Sequence, residues 1–159
     1  METSLDSVYQ YLTLNNTLPE KEWADFSKIW QPFSSKRQAI LTEVGNKEKY
    51  LYFVLSGVQR ICAIDKKGKE ATLILTYPYS FGGIIDSFLL QTSSNYSYEC
   101  LSHSSFLRST YQQLNEISNT YPNIDAILKY YQLKSGRLKI RTISPLTILK
   151  KYYSSYHFA

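Results

Sequence analysis

The chain has 159 residues, 43% of them hydrophobic, and a formal net charge of +5, which fits one domain able to bury a core. No run of about 18 apolar residues exists to cross a bilayer, and Met1 to Asn16 lacks the basic start and apolar block of a secretory signal, so the expected compartment is the cytoplasm. Two cysteines, Cys62 and Cys100, are too few for a secreted disulfide framework, and their β-forming neighbours favour buried thiols over a disulfide or a metal pair.

From Ser4 to Leu14, the residues Leu5, Val8, Tyr9 and Leu12 stand three or four apart, one face of a short helix. Leu18-Pro19-Glu20 opens a second helix, because proline is tolerated in a first turn and acids there suit the positive end. Trp23, Phe26, Ile29 and Trp30 form its apolar stripe and read as core. From Gln31 the texture changes. Short runs of β-formers alternate with turn residues: Gln38 to Val44, Tyr50 to Leu55, Val58 to Asp65, Lys69 to Tyr77, Tyr96 to Leu101 and Ser105 to Tyr111. Lys66-Lys67-Gly68 is a tight hairpin signal between two of them. Short strands joined by hairpins predict an antiparallel sandwich or roll.

The helical period returns at Tyr111 to Ser118, and again from Thr120 or Pro122 in a longer helix. There Ile124, Ile127, Tyr131 and Leu138 fall at heptad-like positions with Leu128 beside them, which predicts pairing with a second copy. Ser144-Pro145 reads as the N-cap and first residue of a last helix, Leu146 to about Tyr156. All 13 acidic residues lie before Ala126, whereas seven basic ones (Lys129, Lys134, Arg137, Lys139, Arg141, Lys150, Lys151) follow it. Such a one-signed block is either a solvated helix face or an approach to a polyanion.

The stretch able to carry chemistry is Phe81-Gly82-Gly83-Ile84-Ile85, then Ser93-Ser94-Asn95. Paired glycines leaving a strand for a helical turn can aim successive backbone N–H groups at an anion; they are also an ordinary tight turn.

The order Leu51-Tyr52-Phe53-Val54-Leu55-Ser56-Gly57, Arg60 in the next strand, Gly68-Lys69-Glu70 and then Phe81-Gly82 resembles the cyclic-nucleotide-binding domain of Crp/Fnr regulators, over roughly Lys36 to Arg141. The resemblance implies a mainly β fold with flanking helices, an antiparallel β-roll of the double-stranded β-helix or jelly-roll type. The expected division is residues 1–119 for N-terminal helices and roll, 120–143 for a long C-terminal dimerisation helix, and 144–159 for the start of a DNA-binding-type region. It implies a candidate effector pocket at Phe81, Gly82, Gly83, Ile84, Ile85, Ser93, Ser94 and Asn95, and a homodimer through Ile124, Ile127, Leu128, Tyr131 and Leu138.

The match departs where the ligand is held. Members that bind cyclic AMP carry Phe-Gly-Glu and later Pro-Arg. Here Gly83 replaces the ribose-binding glutamate, and Ser93 and Ser94 align with the proline and the phosphate-binding arginine. Serine cannot copy the bidentate, charge-assisted bond of an arginine. The pocket is therefore either vestigial or suited to a neutral or smaller effector, not cyclic AMP. If the chain ends at Ala159 it lacks a recognition helix for DNA; if it continues, the basic tail begins the DNA-binding part. A ligand-free pairing module is the alternative reading. A cupin-like enzyme is disfavoured, since only His103 and His157 are present and a metal cupin needs several histidines. An iron–sulfur sensor lacks its four cysteines. No catalytic residue, metal or cofactor is expected, and no membrane partner.

Overall fold

A computed structural model describes residues 3–136. Two helices open the chain: α1 (Ser4–Thr13) and α2 (Glu20–Ser27). Helix α1 begins in a reciprocal cap, with the Asp6 N–H donating to Thr3 Oγ1 and the Thr3 N–H to the Asp6 carboxylate, which satisfies two otherwise orphaned donors. Eight strands follow: β1 (Gln31–Ser35), β2 (Ile40–Thr42), β3 (Tyr50–Ser56), β4 (Gln59–Ile64), β5 (Glu70–Thr76), β6 (Phe81–Gly82), β7 (Ser97–Cys100) and β8 (Ser104–Thr110). The short helix α3 (Ile85–Leu90) interrupts them between β6 and β7, and α4 (Tyr111–Thr120) and α5 (Pro122–Gly136) come last.

The strands form two four-stranded antiparallel sheets, ordered β1-β8-β3-β6 and β2-β7-β4-β5. Alternation along β3 and β8 divides the interior. Tyr52, Val54 and Phe106 point into the space between the sheets, where they meet Ile61, Tyr98 and Cys100. Phe53 and Leu107, one residue on, face the opposite side and pack with the helices in a second core built on Val8, Leu12, Phe26 and Trp30. Both faces of these strands are thus buried, which is why Tyr50 to Leu55 reads as a nearly continuous apolar run rather than an alternation. The hairpin at residues 65–69 is as the turn residues predict: the Asp65 carboxylate accepts the Lys67 and Lys69 N–H groups at 2.8 and 2.9 Å.

Strand β1 has no counterpart in the sequence-based expectation. It carries Pro32, and it lies at the edge of its sheet, pairing only with β8, where a missing N–H is tolerated. Both cysteines are buried and free.

The apolar face of α5 requires a correction. Ile124, Ile127, Leu128 and Tyr131 were expected to face a second copy, yet each is buried within this chain at 6% exposure or less. The reason is that α5 packs against α4 and α3 and also meets the N-terminal helices. The Tyr131 hydroxyl donates to the Tyr11 carbonyl at 2.7 Å, and the two rings stack with centroids 4.9 Å apart. The Tyr121 hydroxyl donates to the Asp25 carboxylate, and Asn123 donates to Glu22 at 3.0 Å. A core-facing helix and a pairing helix share the same spacing of apolar residues, so periodicity alone does not separate them. Leu138 and the segment 144–159 lie outside the described residues.

Candidate functional site

The Gly-Gly turn lies between β6 and α3. Gly82 pairs with Tyr52 across the sheet, and a Cβ there would run into the Tyr98 hydroxyl. Gly83 has φ +102°, a conformation that L side chains rarely adopt. A side chain at this position would also start 3.0 Å from the Tyr50 carbonyl and 3.6 Å from the Glu48 carboxyl carbon. A side chain at this position is therefore strained in backbone conformation and crowded by its neighbours.

A buried carboxylate lies beside this turn. Glu48 precedes β3, and its side chain turns inward until the residue is 1% exposed. One oxygen, Oε2, accepts the Ile84 N–H at 3.2 Å and the Thr42 hydroxyl at 2.9 Å; the other, Oε1, accepts the Tyr50 N–H at 3.3 Å. The acid thus sits at the backbone amide that opens α3, where an anion would be received. Burial pushes its pKa up, opposed by hydrogen bonds from Ile84, Thr42, Tyr50 and Lys49. Sequence reading missed Glu48: within Lys47-Glu48-Lys49 it looks like one of three solvated charges, and only its place between a glycine turn and a buried strand hinted otherwise.

The other expected pocket residues separate into two groups. Phe81 turns to the helical side, its ring centroid 5.5 Å from that of Phe53 and 5.6 Å from that of Tyr131. Ile84 is buried inside the roll, and Ile85 begins α3 half-buried. Ser94 is buried and committed: its N–H donates to the Asn46 carbonyl at 2.9 Å, its carbonyl accepts from Gly45 at 2.7 Å, and its hydroxyl accepts the Tyr96 N–H at 2.9 Å. Ser93 and Asn95 are exposed. Both arms of the expected pocket therefore dock on the turn at residues 45–48. A further stitch runs through Ser87, whose hydroxyl accepts the Glu48 N–H at 2.9 Å and donates to the Thr92 carbonyl at 2.6 Å.

Between the sheets, buried polar groups of this chain bond to one another beside the aromatic cluster. Gln59 links Thr76 (2.6 Å) and Ser104 (2.9 Å), and Thr76 contacts the Tyr98 hydroxyl at 2.8 Å. Burial raises the Tyr98 phenol well above its ordinary pKa, so it serves as a neutral hydrogen-bonding group. Beside Tyr52 on the same face, Arg108 lies between the rings of Phe33 and Tyr50, 3.9 and 4.0 Å from their centroids. Its Nε is buried without a hydrogen-bond partner.

No protein-family model matches the chain, and no curated protein matches it in sequence. Solved structures do match in fold. The catabolite activator protein of Thermus thermophilus superposes with a TM-score of 0.67 at 20% identity, over 80% of this chain and 58% of that one. A cyclic nucleotide-binding domain from Methylobacillus flagellatus gives 0.68 at 12% identity, over 96% and 80%. The fold is that of a cyclic-nucleotide-binding-like domain. A third likeness, the N-terminal domain of a transcriptional regulator from Streptomyces coelicolor A3(2), scores 0.64 at 18% identity, over 80% of this chain and 87% of that one. The chain thus spans little more than half the length of the Thermus protein and most of the Streptomyces domain. Within this cyclic-nucleotide-binding-like domain, the buried acid beside the Gly82-Gly83 turn is Glu48, held at the Ile84 amide.

Among the described residues, no helix is long and apolar enough to cross a membrane, and no cluster of three or more His, Cys, Asp or Glu could hold a metal. His103 is exposed between β7 and β8.

Proposed function

We propose that the domain is the sensing and self-pairing part of a Crp/Fnr-type transcriptional regulator, not an enzyme, and that its roll no longer recognises cyclic nucleotides. The carrying observation is the Glu48 carboxylate at the Ile84 amide. A nucleotide phosphate brought to that amide would meet a buried acid, and Ser94 stands where the resemblance expects the phosphate-binding arginine. The regulatory role comes from the relatives: one matched structure is a catabolite activator protein and another belongs to a transcriptional regulator.

Self-pairing is part of the proposal even though four of the five expected contacts face inward. The heptad-like spacing runs on to Leu138, past the buried Tyr131. The packed interior of the roll favours a second reading, a ligand-free pairing module. Sedimentation equilibrium of the full chain over a wide concentration range tests the pairing common to both. A homodimer is expected; a monomer at the highest concentration overturns it.

A further inference from the structure

We infer that the effector site is the cleft between α3, α4 and α5, and that it takes a small, uncharged, largely aromatic molecule bearing an amide-like hydrogen-bonding group. The inference rests on reading the domain as a sensor. The cleft measures about 330 Å³, the size of a small-molecule pocket and too small for a folded partner. It lies on the helical side of the β3 sheet, away from the interior of the roll, with Leu51, Phe81, Phe88 and Leu89 among its apolar lining.

Two walls set the chemistry. On α4, Asn115, Ser118 and Asn119 stand at the spacing of one helix face and line the cleft. Their side chains make no hydrogen bond among the described residues, although their neighbours Gln112, Gln113, Glu116 and Thr120 are all bonded. Asn115 and Asn119 are exposed and Ser118 is half-buried, so three donor–acceptor groups line one wall with their hydrogen bonds open to solvent or a ligand. On α5, Asp125 and Lys129 also line the cleft, but they pair with each other at 2.7 Å, so the rim offers no net charge. An apolar floor, polar groups of both kinds and a neutral rim select an uncharged ligand, since a charged one would lose hydration without gaining a counter-charge. Occupancy would touch α3 and α5 together, and α3 is the helix tied to the Glu48 turn through Ser87.

The test is nitrogen-15 NMR titration of the full chain with three isosteric probes: benzamide, benzoate and benzamidine. Benzamide is expected to shift the amides of α3 and α4 around the cleft saturably, with both charged analogues at least about tenfold weaker. Ser118→Trp, which plugs the cleft, should abolish the shifts. The exposed pair Asn115→Ala and Asn119→Ala should weaken benzamide and leave toluene unchanged. Absence of saturable shifts at the cleft overturns the inference, as does equal binding of a charged probe or an unchanged benzamide affinity in the variants. Cyclic AMP is run in parallel. Shifts centred on Ile84 and Tyr98 would overturn the loss of nucleotide recognition while leaving the benzamide result to stand or fall alone.

Discussion

The Ile84 amide, at the N-cap of α3, gives its hydrogen bond to the Glu48 carboxylate at 3.2 Å. The donor that would greet a ligand's anion is thus satisfied from within the chain, from a residue 36 positions earlier. The same acid holds Thr42 and Tyr50, so one side chain closes the turn before β3 against the start of α3.

Replacing Glu48 with Ala leaves the Ile84 and Tyr50 N–H groups without their acceptor in a buried site. A loss of about 2–6 kcal/mol is expected, from roughly 1–3 kcal/mol for each of the two unsatisfied buried groups. Urea unfolding measures it; a loss below about 0.5 kcal/mol would be an ordinary surface effect and would contradict the role given to Glu48.

Burial raises the Glu48 pKa above its ordinary value of 4.5. The folded state therefore holds the proton more tightly than the unfolded chain, and this group's contribution to stability falls as pH rises from the ordinary value through the raised one. Below that window the group adds no pH dependence. Measured against Glu48→Gln, which does not titrate, the wild type should lose ground as pH climbs through the window. A wild type that gains ground would mean that its hydrogen bonds outweigh its desolvation.

Ile127→Glu distinguishes core from interface on α5. With Ile127 at 4% exposure inside the chain, a charge there should cost several kcal/mol, about 3 or more, and abolish cooperative melting. Circular dichroism and sedimentation together give the answer. A folded monomer with an unchanged melting temperature would restore the pairing role of that face.

Gly82→Ala probes how full the roll is. The added methyl group collides with the Tyr98 hydroxyl, which Thr76 holds in place. Overpacking of this kind costs typically about 1–3 kcal/mol, read as a lowered urea midpoint. A neutral substitution would show free space beside Tyr98.

Much of the architecture was legible in the sequence because hairpin residues and strand texture are local signals. Gln59–Ile64 and Glu70–Thr76, with the Gly68 turn between them, lie within a residue or two of the expected bounds. Strand β1 was not legible, because Pro32 argues against a strand until its edge position is known. Strand β6 is two residues long and has no periodicity to read. In the site, the Gly82-Gly83 turn was visible in the motif, but the approach of Glu48 to it was not, since nothing local tells a charged loop residue to turn inward. The α5 face misled for a related reason: apolar spacing declares that a face is covered, and only the tertiary arrangement of Tyr11, Asp25 and Tyr131 says by what.

Calorimetric titration of the full chain with cyclic AMP tests the proposed loss of nucleotide recognition. No saturable heat is expected at micromolar ligand, because Gly83 and Ser94 stand where the sequence resemblance expects the acid and the arginine, and the amide at Ile84 is already taken by Glu48. Saturable one-to-one binding with micromolar or tighter affinity would contradict it.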